Sequence, residues 1–318
     1  MKKVILYLVV VFLVLGCDSD FLETSPYSAI SSETMRTTDN LTDLGMTGVY
    51  AALRLGIGSS STTSPYELYE TDRFGFTGQS RFDESLLRGT ITAGDGLFST
   101  MWKNFYEGIQ RSNDAIKNIP LKSPSSDTKK ARYVAEAKFM RAYFYFRLNQ
   151  LYKGVPLYLE PFTADEAQKP RATEEEIWEQ IVVDLTECIN ETNLPDRYVA
   201  GDPNYGHVTK GAAYALRGKV YMYMKKWELA INDFSKVKEC GYALFNDYKS
   251  LFTTKNEQCP EMIFSIQNIS QQDFGGSVQL YYGSRSAFTS DWNYFMPTPD
   301  LVDLYENIDG SPFSWDAV

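Results

Sequence analysis

Few side chains in this 318-residue chain could carry out covalent chemistry on a substrate. Hydrolysis of a glycosidic bond needs two carboxylates across a cleft, and the most compact acidic run is Glu174-Glu175-Glu176. This run lies in the predicted first turn of a helix, where negative charge complements the helix dipole. No G-x-S-x-G motif, P-loop or dinucleotide fingerprint occurs, and a single histidine limits triad chemistry. The sequence therefore indicates no catalytic residues and a protein that is not an enzyme.

Metal-binding chemistry has equally little support. The single histidine, His207, has no Cys or Glu neighbour at ligand spacing, and no CxxC motif occurs. One of the four cysteines follows a hydrophobic leader, and the remaining three, an odd number, cannot form a complete disulfide framework. Cys188 and Cys240 fall in predicted helices and are interpreted as small hydrophobic residues. We expect no metal site and no cofactor.

The N-terminus has the organisation of a signal peptide. Lys2 and Lys3 precede an apolar stretch, residues 4–15, which is shorter than the about 20 residues that span a bilayer. The Leu-Val-Leu-Gly-Cys sequence that follows resembles the lipobox of bacterial lipoproteins, whose cysteine becomes the lipidated first residue. An ordinary secretory signal with a chance cysteine is the alternative. The residues predict a leader over 1–16, lipidation at Cys17 and an extended tether over 17–38.

Charge excludes one class of partner. Removal of the leader takes away two lysines and no acidic residue, which leaves 29 basic and 41 acidic residues, a net charge of −12. Such a surface repels phosphate backbones, so we expect no nucleic-acid partner. Asp18, Asp20 and Glu23 directly follow the predicted anchor and resemble the export tags of Bacteroidetes-type surface lipoproteins. This likeness predicts a chain that faces the cell exterior.

Helical periodicity dominates the segments that must position any site. Asp39 is predicted to cap a helix running to about Leu55, and the next helix is predicted over residues 101–119, with Pro120 following its end. A longer helix is predicted over 127–152, with one apolar face. That face comprises Ala135, Phe139, Ala142, Tyr143 and Phe146. Thr173 and Glu176 form a capping box that predicts the start of the next helix.

The segment 208–241 predicts two helices joined at Lys225-Lys226 and stopped by Gly241. Small residues permit close backbone approach, and large ones are expected to fill the space between the helices. The small ones are Ala212, Ala215 and Gly218, and the interface residues are Tyr221, Trp227, Ala230 and Phe234. This spacing resembles a tetratricopeptide repeat, which must stack on neighbours because one pair cannot bury its faces alone.

Two segments break the helical pattern. Residues 56–98 are rich in Gly, Ser and Thr, and residues 268–299 combine Gly and Ser with aromatic rings. Long insertions of this kind in a compact domain are often binding loops. Residues 261–267 alternate like a strand, and a short helix is predicted near Asp300 before a turn at 309–310. The expected fold is mainly α, a tetratricopeptide-like scaffold of helical pairs over 39–318 with these insertions and a few short strands.

The insertions carry rings beside polar groups, as a sugar-binding surface requires. Sugar rings stack their C–H faces on aromatic rings, and their hydroxyl groups need polar partners nearby. The candidate ligand-binding residues are Trp292, Asn293, Tyr294, Tyr281 and Tyr282 in the second insertion and Arg73 and Phe74 in the first. Each ring could instead fix its loop to the helices. Trp292 is the strongest candidate, since Asp291 and Asn293 flank it.

Several stretches, in order along nearly the whole chain, resemble the SusD/RagB family of outer-membrane nutrient-binding lipoproteins. The stretches are CDSDFLETSP, WKNFYEGIQRSNDAI, AEAKFMRAYFYFRLNQLYKGVPL, AAYALRGKVYMYMKKWELAINDF, EMIFSIQ and PTPDLVDLYENIDG. Members usually continue well beyond the Asp-Gly turn, so a C-terminal part is expected to be missing. The resemblance implies a helical scaffold that docks on a SusC-like TonB-dependent transporter, with loops that capture an oligosaccharide or a peptide.

The resemblance thus implies a lipid-anchored outer-membrane protein that binds oligosaccharides and delivers them without bond chemistry. Two alternatives remain: a peptide-binding relative of the same family, and a tetratricopeptide-type scaffold that binds only protein. The two insertions favour a ligand-binding role over the scaffold, because a plain solenoid does not need them.

Overall fold

The computed structural model describes residues 35–55, 78–80, 90, 92–94, 96–266, 295–297 and 299–315. Its helices are α1 (Asp39–Ala51), α2 (Gly96–Lys122), α3 (Asp127–Tyr152), α4 (Glu174–Asn190), α5 (Lys210–Tyr223), α6 (Trp227–Glu239), α7 (Tyr248–Leu251) and α8 (Pro299–Asp303). Short 3₁₀ helices lie at Ala52–Arg54, Asp165–Ala167 and Thr254–Asn256, and the strands are β1 (Gly78–Ser80) and β2 (Phe295–Pro297). The expected mainly helical, tetratricopeptide-like fold is confirmed. Within the described ranges no helix has both the length and the apolar character that a bilayer-spanning segment needs.

The N-cap residue of helix α1 lies one position earlier than the sequence predicts. Thr38, not Asp39, is the N-cap, because its extended backbone lets its side chain accept the N–H of Leu41. The carboxylate of Asp39 instead accepts hydrogen bonds from Ser125 and from Lys129, at 2.9 Å, beside the start of α3. These two donors lower the pKa of Asp39. The Asp39 side chain, which the local sequence predicts as the N-cap, therefore makes a tertiary contact instead.

Helix α2 includes the proline that was expected to follow its end. Pro120 lies inside the last turn, and the N–H of Ser123 still donates to the carbonyl of Ile119 at 3.1 Å. Proline removes one backbone donor, which one helical turn at a terminus tolerates better than a helix centre does. The predicted apolar stripe is confirmed. Phe105, Ile109 and Ser112 are buried, and Trp102 and Ile116 pack against the core.

Helix α3 is the centre of the molecule. It packs against α2 on one side and α4 on the other, and its side chains are buried around most of its circumference. The single apolar face predicted from the sequence is therefore too narrow. Arg141, Arg147 and Glu136 are also buried on α3, so charged residues do not mark a solvent face of this helix.

Helix α4 confirms the capping box. The side chain of Thr173 accepts the N–H of Glu176, and the carboxylate of Glu176 accepts the N–H of Thr173 at 2.7 Å. Its buried stripe contains Ile181, Leu185 and Cys188, and Cys188 is fully buried as expected. Burial raises the pKa of the Cys188 thiol, which keeps it protonated and unreactive.

The predicted helix pair is present as α5 and α6. Lys225 occupies a left-handed conformation in the connection, and Gly241 does so directly after α6. A Cβ atom added to Gly218 would lie 2.8 Å from the Phe234 ring, so the two helices approach closely at that glycine. The expectation that Trp227 fills the interface is wrong. Its side chain is 57% exposed, so most of it is not buried between the two helices.

The predicted strand over 261–267 is absent from its described part. Residues 261–266 contain no strand, and instead Ile263, Phe264 and Ile266 lean on the helical core. The Phe264 ring contacts Phe139 edge to face at 5.1 Å between centroids. The segment is half buried, bends at residues 263–264 and has no strand partner among the described residues. The short helix at 299–303 and the turn at Gly310 are confirmed.

Candidate functional site

The residues predicted to contact ligand or lipid lie outside the described part of the chain. They are Cys17, Arg73, Phe74, Tyr281, Tyr282, Trp292, Asn293 and Tyr294. Their roles stay predictions. The structure does describe the strands and helices to which these segments are joined.

A two-stranded antiparallel sheet brings the two insertions together. Gly78 pairs with Pro297, and Ser80 pairs with Phe295, although more than 200 residues separate the strands. In sequence, Phe74 is four residues before Gly78 and Trp292 is three residues before Phe295, whereas Tyr281 and Tyr282 are more than ten residues before β2. The strands therefore join the two insertions at points that are close in sequence to several of the predicted ligand residues. Neither composition nor periodicity indicated this pairing.

The helices hold three of the insertion ends. The side-chain amide of Asn104 donates to the carbonyl of Leu55 at 2.5 Å, where the first insertion begins. The Tyr152 hydroxyl donates to the carbonyl of Phe98 at 2.6 Å, where that insertion ends. Phe264, on the core side of the second insertion, is fixed against α3. These ends of the insertions are thus attached to the helical part of the fold.

A buried carboxylate contacts His207, which lines the same pocket as Phe264, close to the start of the second insertion. Glu136 on α3 is fully buried, accepts the Tyr50 hydroxyl at 2.8 Å and lies 2.9 Å from Nδ1 of His207. The Nε atom of Arg132 is 3.3 Å from its other oxygen. Burial raises the pKa of the Tyr50 hydroxyl well above its usual value. This cluster joins α1, α3 and the segment before α5, and its carboxylate is inaccessible to a substrate.

His207 also lines a shallow pocket rich in tyrosine. The lining includes Tyr198, Tyr205, Thr209, Tyr242 and Phe264. Its partner Glu136 is 71 residues away in sequence, which is why ligand-spacing arguments could not find the pair. Within the described ranges no group of three potential metal-ligating side chains occurs.

The acidic run at the start of α4 has a structural role. Glu176 closes the capping box, and the hydrogen bonds from Thr173 lower its pKa. Glu174 lies 2.8 Å from Nζ of Lys153 and 3.3 Å from the indole nitrogen of Trp178. Two of the three acids therefore make contacts at the helix start, and the predicted position of all three in the first turn is confirmed.

A second buried polar cluster holds the segment between α3 and α4. Arg141 donates to both oxygens of Asp184 at 2.6 and 2.8 Å, to Oδ1 of Asn113 and to the carbonyl of Leu159. Asn113 in turn donates to the carbonyls of Tyr158 and Glu160. Three helices and one loop therefore meet at a single guanidinium group. Sequence reasoning missed this cluster, since its members are dispersed over the chain.

Comparison with known proteins gives a consistent result. A family profile of SusD-like proteins, described as "starch-binding associating with outer membrane", matches residues 20–222. SusD-like protein P38 of Formosa agariphila is 28% identical over 316 residues, which cover 92% of this chain and 57% of that protein. The chain thus spans little more than half the length of this curated relative.

Solved structures show the same fold. The crystal structure of a SusD-like protein from Bacteroides fragilis matches with a TM-score of 0.75 and 25% identity, covering 92% of this chain and 57% of that one. A protein described as a laminarin binding SusD-like protein matches with a TM-score of 0.73 and 26% identity, covering 84% and 64%. The resemblance noted from the sequence stretches is confirmed, and the chain belongs to the SusD-like family.

Proposed function

We propose that this protein is an outer-membrane lipoprotein that binds oligosaccharides at the cell surface and passes them to a SusC-like TonB-dependent transporter. The observation that carries the proposal is the β1–β2 pair, which joins two ring-bearing insertions on one helical scaffold in a SusD-like chain. The laminarin-binding relative supports a glycan as the ligand class. The protein captures its ligand without covalent chemistry.

The physical basis is a surface that combines rings with hydrogen-bonding groups. Trp292 and Tyr294 precede β2 directly, with Asn293 between them, and Arg73 and Phe74 precede β1. Rings in this position can cover the apolar face of a pyranose while the amide and guanidinium groups bond its hydroxyls. Because the sheet joins both insertions, one ligand can contact residues from both.

The glycan proposal is tested by replacing Trp292 with alanine. We expect at least about a fivefold loss of affinity for the bound glycan, since central aromatic anchors usually cost more than about 1 kcal/mol when truncated. Titration calorimetry with laminarin, starch oligosaccharides and a peptide digest identifies the ligand class. Trp315→Ala is the matched control, because Trp315 is an exposed tryptophan outside both insertions.

The outcomes separate the alternatives. Glycan binding that Trp292→Ala abolishes and Trp315→Ala preserves supports the proposal. Binding of peptides but no glycan identifies a peptide-binding relative. Absence of binding to every probe favours a protein-interaction scaffold and contradicts the proposal.

Anchoring is tested by Cys17→Ala. We propose residues 1–16 as the leader, Cys17 as the lipidated residue, 17–38 as the tether and 39–318 as the helical domain. The variant is expected to move from the membrane to the soluble fraction, because acyl chains contribute about 0.8 kcal/mol per buried methylene. Cys240→Ala, at a partly buried free thiol, should stay in the membrane fraction. Firm membrane retention of Cys17→Ala would refute the anchor.

A further inference from the structure

Helices α1 and α2 leave a pocket between them, beside the residues that precede α1. Its volume is about 220 Å³, and its described lining comes from those residues, from α1 and from α2. Gly48 of α1 keeps the space open, because a Cβ atom added there would have no atom within 4 Å. At about 30 Å³ per water molecule, the space suits a small organic molecule and is too small for an oligosaccharide. We call it the α1–α2 pocket.

Apolar side chains form the walls of the α1–α2 pocket. Met35, Leu44 and Val49 line it. Val49 is buried, whereas Leu44 is 47% exposed, so an apolar ligand would remove from water a surface that now faces it. Pockets with apolar walls and a few placed polar groups are typical of small-molecule sites.

Two arginines make the pocket positive. Arg36 and Arg111 line it together with one carboxylate, that of Asp114, so the described lining has a net charge of +1 in a chain whose net charge is −10. Arg111 donates from Nη1 to the carbonyl of Gly48 at 2.7 Å, which holds its guanidinium group beside the pocket. The side chains of its ion pair with Glu107 are 35% and 38% exposed, so water screens that pair.

Arg36 is buried with fewer acceptors than its N–H groups require. Its side chain is 3% exposed, and Nη2 pairs with Oδ2 of Asp114 at 2.5 Å. Among the described residues, Nε and Nη1 have no hydrogen-bond partner. Asp114 is shared, since its other oxygen accepts the side-chain amide of Asn118 at 2.6 Å. A buried charge that is only partly compensated attracts a neighbouring anion more strongly than an exposed charge does, because little water screens it.

We propose that the α1–α2 pocket binds a small organic acid, with the carboxylate towards Arg111 and Arg36 and an apolar skeleton on Met35, Leu44 and Val49. Guanidinium groups suit carboxylates, and Arg111 uses two of its five N–H groups for the described residues. A skeleton rich in hydroxyl groups fits poorly, because its polar groups would lie unpaired against apolar walls. The proposal goes beyond glycan binding, since none of these residues belongs to the two insertions.

The experiment is isothermal titration calorimetry of the full chain with valerate, an unbranched acid with an apolar skeleton. Valerate is expected to bind with a dissociation constant of about 1 mM or below. Valeramide has nearly the same shape without the charge, and glucuronate places the charge on a ring that carries hydroxyl groups. Each of these two compounds should bind at least about tenfold more weakly than valerate.

A substitution that fills the pocket identifies the site. Gly48→Leu adds a side chain where the space is open, so the variant should fold and should bind valerate at least about tenfold more weakly. Gly96→Leu is the matched control. Gly96 begins α2, about four helical turns before Arg111, and a Cβ atom added there also has no atom within 4 Å. This control should bind valerate as the unchanged chain does.

A second pair of variants tests the charge. Arg111→Gln removes a positive charge from the pocket and should weaken valerate binding at least about tenfold. Lys117→Gln removes the same charge from the same helix, at a residue whose ion pair with Glu160 is largely exposed, and should leave binding unchanged. Circular dichroism should show that all four variants fold.

Valerate binding that Gly48→Leu and Arg111→Gln weaken and that both controls preserve supports the proposal. Absence of valerate binding at about 10 mM would overturn it. Equal binding of valeramide would exclude a role for the charge, and tighter binding of glucuronate would exclude the apolar skeleton, so either result also contradicts the proposal. Trp292→Ala should bind valerate as the unchanged chain does, so failure here is distinguishable from failure of the glycan proposal.

Discussion

Replacing Asp184 with alanine is expected to lower the free energy of unfolding by about 3–5 kcal/mol, because it leaves the buried Arg141 guanidinium without its carboxylate. Arg141 is 5% exposed and Asp184 is 1% exposed. The two Arg141–Asp184 hydrogen bonds measure 2.6 and 2.8 Å. The carboxylate also orients the Arg141 guanidinium for its hydrogen bonds to Oδ1 of Asn113 and the carbonyl of Leu159, so its loss should weaken these bonds as well. Urea unfolding followed by circular dichroism measures the change.

Glu187→Ala is the matched control for this ion pair. Glu187 lies on the same helix, three residues further on, and pairs with Lys138 at 2.7 Å, but its side chain is half exposed. Solvent screens such a pair, so its removal should cost no more than about 1 kcal/mol. Equal destabilisation by the two variants would show that burial does not distinguish the pairs, contrary to the argument.

Replacing Gly108 with alanine is the second change with a large expected effect. A Cβ atom there would lie 2.4 to 2.7 Å from three atoms of the Phe144 ring. That ring is buried between α2 and α3, with 1% of the side chain exposed, and cannot move away without displacing its neighbours. Overpacking of this kind costs about 1–3 kcal/mol or more, although alanine favours the helix. Thermal and urea unfolding should show the loss.

Alanine substitutions at two other glycines serve as comparisons for Gly108→Ala. Gly48 lies in α1 with no atom within 4 Å of its added Cβ, so Gly48→Ala should be neutral or stabilising by up to about 1 kcal/mol. At Gly218 the nearest ring is Phe234, which is 38% exposed and free to turn outward, so Gly218→Ala should be milder than Gly108→Ala. An unchanged midpoint for Gly108→Ala would show that Phe144 relaxes, and would remove the close contact from the account of α2–α3 packing.

The buried polar clusters bear on function through rigidity. Glu136 contacts His207 in the segment before α5, and Arg141 donates to the carbonyl of Leu159 between α3 and α4. Both oxygens of Asp184 accept hydrogen bonds from Arg141, and a satisfied buried network of this kind favours one arrangement of the core. The β1–β2 pair joins the two insertions to each other. A binding surface on loops needs such a support if its affinity is not to be lost to ordering.

Features that depend on neighbours along the chain could be predicted from the amino-acid sequence. The α4 capping box, the α5–α6 pair and the stop at Gly241 were all predicted from residues a few positions apart. Their hydrogen bonds and contacts close within one or two helical turns, so the information is local. Family membership was also accessible, because ordered stretches of sequence resemble it along most of the chain.

Features that join residues distant in sequence became visible in the three-dimensional structure. Asp39 bonds to Ser125 and Lys129 and does not cap α1. His207 lies against Glu136, and β1 pairs with β2 although more than 200 residues separate them. The structure also decided that Trp227 is mostly exposed, because periodicity places a side chain on a helix face but does not say which faces are covered. Contacts between distant residues depend on how whole helices and strands pack together. The spacing of residues along one element does not show which other element it will contact.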